Sequence, residues 1–480
     1  MNAALYAARR VALVIVLGLL GACSTTRPWV NQPLAPSARL ESTPALNPML
    51  PVGAPPGSPQ VIAAVALSGG GARAAAFGLG VLEELKATRF ALGGRSTTLL
   101  DEVGLVSGVS GGSVLATYYA AFGDEVFTRF EPEFLKADFQ SSLIGYILSP
   151  ASLYRLTSPW YGRSNVLAER LAPVFRGLTF GDLKARPRGP RLLITAADLT
   201  TGAPFEFTPE QFALICSDLD SMPLSFAAAA SSSVPLLLSP ITLRNYAGSC
   251  PQSAQVVEAA MADHNLSARL LRTIAKSYQN SSARPYLHLV DGGLVDNLGV
   301  RSLLDHTIAR GSLRQSFEHL PPGSVHRVVL VSVNSERDLG DRLDDSGRVP
   351  STVQVLDALV FGAGSRTTTE TSAMVVDAAR RLAEELVADR GSAGSPFAAD
   401  AQLHVISVSL RDVPDEALRQ QLLQVPTAFT ILPLQVRQLR EAGRSALRAS
   451  AEFQKLVQGL QGQDAPMSIA GNANAANSTD

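Results

Sequence analysis

The sequence predicts an α/β fold, in which a mostly parallel central sheet carries helices on both faces. Short apolar segments typical of buried strands recur along the chain, and segments with helical periodicity separate them. The predicted strands are Val61–Leu67, Glu102–Val106, Arg191–Ala196, Leu287–Val290, His326–Val333 and Gln402–Leu410. Ser113–Phe122 contains no charged residue, which predicts a buried helix. Leu434–Leu456 is amphipathic and predicts one helix near the end of the domain.

The first residues are typical of an export signal. Arg9 and Arg10 precede the uncharged run VALVIVLGLL, which is shorter than a membrane-spanning helix requires. The ending Leu19-Leu-Gly-Ala-Cys23 resembles the bacterial lipobox. This implies that residues 1–22 are a signal peptide and that Cys23 is the acylated (palmitate-bearing) first residue of a lipoprotein. Ser24 in the next position implies sorting to the outer membrane of the cell envelope. The alternative is an ordinary signal peptide that contains a cysteine.

The two flanks of the predicted domain differ from it in composition. Residues 23–60 are rich in Pro, Ser and Ala and lack apolar periodicity, which predicts an extended tether after the lipidated cysteine. One folded domain is expected over residues 61–460. Residues 461–480 are rich in Asn, Ala and Ser, and predict a disordered tail.

Charge and cysteine content exclude some classes of function. A net charge of -1 over 480 residues gives no basic surface, so no nucleic-acid partner is expected. Cys216 and Cys250 are either joined in a disulfide, which an exported protein retains, or are two buried thiols. The sequence leaves both possibilities open. Neither cysteine has a Cys-rich or His-rich neighbourhood, so no metal site is expected.

A glycine-rich turn follows the first predicted strand. Leu67-Ser-Gly-Gly-Gly-Ala-Arg73 leads from that strand into a helix, where exposed backbone N–H groups stabilise negative charge. Gly69-x-Gly71-x-x-Ala74 also satisfies a dinucleotide-binding pattern, which would indicate an oxidoreductase. That function needs an acidic residue about twenty positions farther along. Residues 88–100 contain none and Asp101 comes too late, so the sequence disfavours this alternative.

A second motif has the form of a nucleophile elbow. Gly108-x-Ser110-x-Gly112 lies between an apolar strand and the uncharged helix. In such an elbow a sharp strand-to-helix turn exposes the serine Oγ, and only small flanking residues tolerate the turn. Ser110 is therefore the predicted nucleophile.

A nucleophilic serine needs a base. His404 lies within a predicted strand, whereas a catalytic histidine normally lies on a loop, so a structural role is favoured for it. Asp291 directly follows the apolar strand Leu287–Val290, and Gly292 and Gly293 follow it. We expect Asp291 at the carboxyl edge of the sheet, where open α/β sheets place their sites. Burial would raise its pKa toward the working pH of a base.

The three motifs, in this order and spacing, resemble those of the patatin-like phospholipases. The resemblance implies a three-layer α/β/α fold and a serine acylhydrolase that cleaves acyl esters of lipids, of phospholipase A, lysophospholipase or esterase type. It implies Ser110 as nucleophile, Asp291 as base, and Gly70 and Gly71 as the oxyanion hole, with Arg73 supporting that loop. No cofactor is implied. The motif glycines are Gly69, Gly108, Gly112, Gly292 and Gly293.

Two positions depart from the usual family pattern, and the alternatives stay open there. Ala74 stands where Gly is frequent, and Gly111 stands where Ala is frequent. A non-catalytic scaffold with the same fold is the alternative to an enzyme. The aromatic segment Ser141–Ala168 either caps the acyl site, contacts the bilayer, or forms ordinary core helices. The expected partners are a lipid substrate and the membrane through Cys23, while the sequence predicts no oligomeric state.

Overall fold

The computed structural model describes residues 24–35, 59–186, 189–250, 265–309, 311–337, 347–358 and 363–461. Cys23 and the predicted signal peptide therefore lie outside the described residues. So do most of the predicted tether and the predicted tail from residue 462 onward.

The described strands form one mixed sheet and a separate hairpin. The hairpin pairs β2 with β3, and the main sheet has the order β10-β9-β1-β4-β5-β8-β7, with β6 paired to β5. The strands are β1 (Gln60–Leu67), β2 (Arg89–Leu92), β3 (Arg95–Thr98), β4 (Val103–Val109), β5 (Arg191–Asp198), β6 (Ala203–Glu206), β7 (Ile241–Arg244), β8 (Tyr286–Asp291), β9 (Val325–Asn334) and β10 (Phe397–Ser409).

Most of the sheet is parallel, as the sequence predicts. β10, β9, β1, β4 and β5 pair in parallel, whereas β6 and β8 are antiparallel to β5, and β7 is antiparallel to β8. All six predicted strands are present. Their observed bounds differ from the predicted ones by a few residues, because strand ends are set by pairing and not by local apolar content.

Helices occupy most of the chain between the strands. They are α1 (Gly71–Ala87), α2 (Gly111–Phe122), α3 (Val126–Phe130), α4 (Phe139–Ile147), α5 (Pro150–Arg155), α6 (Arg163–Leu171), α7 (Phe180–Lys184), α8 (Pro209–Leu214), α9 (Leu224–Ser231), α10 (Leu266–Gln279), α11 (Gly293–Asp296), α12 (Arg301–Ala309), α13 (Leu313–Phe317), α14 (Thr352–Asp357), α15 (Ala363–Asp389), α16 (Glu416–Leu423), α17 (Pro433–Ala449) and α18 (Ala451–Gln461). Shorter 3₁₀ turns occur at Gly123–Glu125, Ala247–Ser249 and Leu410–Asp412, and a π turn at Glu131–Leu135.

The central strand β1 shows why the fold has three layers. Its side chains alternate between the two faces of the sheet. Val61, Ala63, Val65 and Leu67 pack into a core shared with α1, α2, α9 and α17. The alternate residues Ile62, Ala64 and Ala66 pack against α12, α13 and α15. All of β1 is buried, and the predicted α/β/α architecture is confirmed.

The segment directly after Cys23 does not behave as the predicted free tether. Residues 24–35 pack against the domain: the Trp29 ring lies 4.9 Å from that of Phe226, and Asn31 is fully buried. The Asn31 amide donates to Ser217 Oγ at 2.8 Å and to the Arg244 carbonyl at 2.9 Å. The tether prediction is wrong for this segment, because these two side chains find buried partners far away in sequence.

Two other features differ from, or extend, the sequence analysis. The single helix predicted over Leu434–Leu456 is two helices, α17 and α18, separated at Ser450, whose backbone is extended. Cys216 and Cys250 form a disulfide with 6.0 Å between their Cα atoms. Among the described residues, no helix is long and apolar enough to cross a membrane.

Candidate active site

The glycine turn after β1 leaves two backbone donors available. Gly70 has φ 139° and Gly71 has φ 61°, conformations that favour glycine. The neighbouring N–H groups are used: Gly69 donates to the Asn297 carbonyl at 3.0 Å, and Ala72 donates to the Ala428 carbonyl at 2.7 Å. Within the described part of the chain, the N–H groups of Gly70 and Gly71 have no acceptor. They lie at the N-terminus of α1, where negative charge is stabilised.

Arg73 fastens this turn to the rest of the domain. Its side chain is buried, and its Nε donates to the Ser335 carbonyl at 2.8 Å while Nη1 donates to the Val425 carbonyl at 2.6 Å. Burial lowers the pKa of Arg73, and the positive charge of Arg337 lowers it further. The guanidinium thus links the glycine turn to the segments after β9 and α16.

The turn between β4 and α2 has the geometry of a nucleophile elbow. Ser110 has φ 50° and ψ −125°, a left-handed backbone conformation that a residue with a side chain adopts only at a cost. Its N–H donates to Ser231 Oγ at 2.9 Å, which holds the strained turn. Ser110 lines the same pocket as Gly69 and Gly70. This agrees with the strand–turn–helix setting that the sequence predicts.

The elbow and the glycine turn touch through their backbones. A Cβ added to Gly111 would overlap the backbone of Gly71, and one added to Gly112 would overlap the carbonyls of Leu67 and Ser68. Glycine at these positions lets the N-termini of α1 and α2 approach the same point. The departure from the family pattern at Gly111 is therefore a packing requirement in this chain.

Asp291 meets Ser110 across the intervening strand β5. In the sheet register Thr195 pairs with Val109, and the next residue, Ala196, pairs with Asp291. The last residue of β8 is thus level with the elbow. Ser110 Oγ donates to Asp291 Oδ2 at 2.8 Å.

The direction of β8 was not predicted from the sequence. Asp291 was expected at the carboxyl edge of the sheet, and it lies there, level with Ser110 after the end of β4, although β8 runs antiparallel to β5. Asp291 still reaches the site because β8 enters from the opposite end and stops beside the elbow. Gly292 makes this possible, since a Cβ there would overlap the Thr195 carbonyl.

The environment of Asp291 suits a base. The carboxyl is buried, and burial raises its pKa from 3.8 to about 6. Hydrogen bonds from the Gly293 N–H, at 2.8 Å to Oδ1, and from Ser110 oppose this shift but do not cancel it. The Gly293 bond also orients the carboxyl so that Oδ2 faces the serine.

The C-terminal end of α9 joins the two halves of the site. Ser231 Oγ accepts from the Ser110 N–H and donates to the Thr195 carbonyl at 2.6 Å. The Ser233 carbonyl accepts from the Asp291 N–H at 3.0 Å. Ser231 and Ser233 are not among the site residues predicted from the sequence. The sequence feature that could have indicated them is the run of serines, Ser231–Ser233, at the end of the largely apolar helix α9.

The pocket has a polar side that the sequence analysis missed. Asn297, Glu336 and Arg337 line it together with Ser110 and Asp291, and burial raises the pKa of Glu336. Apolar lining comes from residues that include Val234 and Leu294. The pocket therefore combines an apolar wall with charged groups near the serine.

Other residues considered from the sequence lie elsewhere. His404 is on β10, where its Nδ1 lies 2.8 Å from Glu452 Oε1 and burial lowers its pKa. It does not line the pocket. The Cys216–Cys250 disulfide is also separate from the pocket lining, and Cys23 is outside the described residues. In the described ranges, no group of three or more His, Cys, Asp or Glu residues is arranged to hold a metal ion.

Comparisons with known proteins point to one family. A family model described as patatin-like phospholipase matches residues 65–304, which is half of the chain. No curated protein matches the chain. A solved structure of human GIVD cytosolic phospholipase A2 is 12% identical, with 83% of this chain and 62% of that chain covered and a TM-score of 0.44. The same human protein in complex with methyl gamma-linolenyl fluorophosphonate is 14% identical, with 84% and 58% covered and a TM-score of 0.38. The chain thus spans about 62% of the length of the first of these structures.

The contact between the two helix N-termini gives a stability prediction. Gly111→Ala is expected to lower the free energy of unfolding by about 1–3 kcal/mol, because the added methyl group overlaps the Gly71 backbone. Gly145→Ala in α4 is the matched control, since nothing among the described residues lies within 4 Å of its added methyl group. Alanine there should be neutral or stabilising. Urea unfolding followed by circular dichroism measures both, and equal stability of the two variants would contradict the close contact.

Proposed function

The chain belongs to the patatin-like phospholipase family, and on this premise we propose that it is a serine acylhydrolase that cleaves acyl esters of lipids. Family membership supports lipid acyl-ester hydrolysis as the general activity. The finer proposal is that Ser110 and Asp291 form a catalytic dyad, with Gly70 and Gly71 as the oxyanion hole. The enzyme is further proposed to be a lipoprotein, anchored in the outer membrane through Cys23.

One observation carries the mechanistic part of the proposal. Ser110 Oγ donates directly to Asp291 Oδ2 at 2.8 Å, inside a pocket whose described lining contains no histidine. A nucleophile held by a base of raised pKa is the arrangement that covalent catalysis requires. The strained backbone of Ser110 adds support, since such strain is retained where function needs it.

The first half-reaction forms an acyl-enzyme. Asp291 Oδ2 takes the proton of Ser110 as Oγ attacks the ester carbonyl carbon, and the carbonyl oxygen becomes an oxyanion. The N–H groups of Gly70 and Gly71 donate to that oxyanion. Each such donor is worth about 3–4 kcal/mol of transition-state stabilisation in other hydrolases. The bond to the leaving oxygen then breaks, and that oxygen receives the proton from Asp291 as the alcohol departs.

The second half-reaction restores the serine. Asp291 accepts a proton from water, the hydroxide attacks the acyl carbon, and the same N–H groups hold the second oxyanion. When the bond to Ser110 Oγ breaks, the proton returns from Asp291 to the serine and the carboxylic acid leaves. One ester and one water thus give one acid and one alcohol, and the dyad ends as it began.

The dyad gives a prediction about variants. Ser110→Ala and Asp291→Asn are each expected to reduce kcat for a short-chain soluble ester by about four orders of magnitude or more, because each removes a group that acts in bond formation. His404→Gln is the control and should keep wild-type turnover, since His404 pairs with Glu452 away from the pocket. Steady-state hydrolysis with circular dichroism as a folding check measures all three.

The outcomes separate the alternatives. Full turnover by Asp291→Asn would mean that another group is the base. Loss of activity in His404→Gln would favour a serine–histidine arrangement. A folded wild-type protein that hydrolyses no acyl ester would favour the non-catalytic scaffold.

The raised pKa of Asp291 gives a pH prediction. Asp291 accepts a proton only when it is ionised, so kcat/KM should fall as the pH drops through about 6 and should be constant well above that value. If Asp291 had the ordinary pKa of an aspartate, kcat/KM would instead fall near pH 3.8. A neutral soluble ester assayed from acidic to neutral pH, with folding checked at each point, gives the profile. A flat profile through pH 6 would contradict the raised pKa of Asp291.

A further inference from the structure

One surface of the domain is unusually apolar. Six large side chains on α4, on α5 and in the loops that follow them are between 39% and 61% exposed. We call them the apolar face: Ile144, Tyr146, Leu148, Leu153, Tyr154 and Trp160. The sequence analysis left core packing open for this region. Leu143 and Tyr161 are indeed buried, but the members of the apolar face are not.

The apolar face lacks the charges that keep a surface soluble. Residues 139–162 contain one charged residue, Arg155, and it pairs with Glu169 at 2.9 Å. Core packing does not explain the composition, since Phe139 and Leu143 already bury the inner side of α4. A group of exposed, large apolar side chains within so short a segment is typical of an interaction site.

The residues that directly follow Cys23 lie at this same surface. The Ser24 N–H donates to Thr157 Oγ1 at 2.9 Å, and Ser158 Oγ donates to the Thr26 carbonyl at 2.7 Å. The Arg27 guanidinium lies 3.3 Å from the centre of the Trp160 ring. Ser24 is only 2% exposed. Cys23 is one peptide unit farther, and consecutive Cα atoms are about 3.8 Å apart. The cysteine that is predicted to carry the lipid therefore directly precedes, in sequence, a residue that is bonded beside the apolar face.

Hydrogen bonds connect the apolar face to the pocket. The Phe429 N–H donates to Gln140 Oε1 at 3.1 Å, so α4 is joined to the loop in which Thr427 lines the pocket. Arg163 donates to the Leu236 carbonyl at 2.9 Å, two residues after Val234 of the pocket wall. Leu236 and the adjacent Leu237 are themselves 58% and 65% exposed, which extends the apolar surface toward the site.

We propose that the apolar face lies on a lipid bilayer, held there by the lipid on Cys23, and that substrate lipid enters the pocket from that bilayer. The proposal rests on the lipidation of Cys23 in the proposed function. Tyr and Trp side chains are enriched at the membrane–water boundary, and an arginine beside Trp160 suits the headgroup region. A bilayer is favoured over a second protein because the anchor brings the membrane to this surface.

The two tryptophans of the chain provide a direct test. The full chain is matured in a bacterial host and reconstituted in phosphatidylethanolamine–phosphatidylglycerol vesicles, with ordinary or brominated acyl chains. In the Trp29→Phe variant the remaining emission comes from Trp160, and brominated lipid should quench it strongly. In the Trp160→Phe variant the emission comes from Trp29, which packs against Phe226 and should be quenched much less. Equal emission of Trp160 in the two kinds of vesicle would overturn the proposal.

Paired variants locate the contact. Leu148→Asp combined with Leu153→Asp adds two charges to the apolar face and should reduce the quenching of Trp160 and the hydrolysis of vesicle lipid. Val376→Asp combined with Val387→Asp is the matched control on α15, where the two valines are 57% and 56% exposed. α15 packs on the other face of the sheet, so both readouts should keep their wild-type values. Equal effects of the two pairs would overturn the proposal.

Two further readouts keep this test separate from the proposed function. Turnover of a soluble short-chain ester should be the same in both paired variants and in the wild type. If the wild type lacks that turnover, the proposed function fails, but the quenching result still decides the position of the bilayer. If the face pair instead alters the molecular mass in detergent without any effect on quenching, the surface joins two copies of the chain and the bilayer proposal is wrong.

Discussion

The site depends on one hydrogen bond, from Ser110 Oγ to Asp291 Oδ2, which is made across strand β5. The two residues belong to strands separated by β5. Two strand spacings amount to about 10 Å, so the side chains meet only because both chain segments turn over β5 at the same level. The register places Val109 opposite Thr195 and Asp291 opposite Ala196. This single contact depends on three features: the antiparallel direction of β8, the turn at Ser110 and the glycine after Asp291.

Backbone proximity is the second constraint, and it explains the glycine content of the motifs. The N-termini of α1 and α2 converge because Gly71 and Gly111 present no side chains to each other. Their convergence concentrates backbone N–H groups and positive helix ends at the point where we propose that an oxyanion forms. Ser231 completes the arrangement by bonding both the strained elbow and β5. In the proposed mechanism the charge that these donors stabilise is transient, whereas a phosphate-binding loop holds a permanent charge.

The sequence predicts local features well and long-range ones poorly. Buried parallel strands are continuous apolar runs, so the strands and the elbow at Ser110 are evident from pattern alone. The antiparallel direction of β8 has no signature in the local sequence, whereas the position of Asp291 at the carboxyl edge of the sheet follows from its place after an apolar strand. Trp29 and Asn31 hold a Pro- and Ser-rich segment against the domain through partners about two hundred positions away. Ser231 is a site residue only through such tertiary contacts.

The central claim is that Ser110 becomes covalently acylated during turnover, with Asp291 as its direct base. Acid quenching during hydrolysis of a p-nitrophenyl ester, followed by peptide mass spectrometry, tests this most directly. The account predicts an acyl group on the peptide that contains Ser110, at an occupancy that falls when the substrate is exhausted. An active enzyme whose acyl group lies on another residue, or that never carries one, would contradict it.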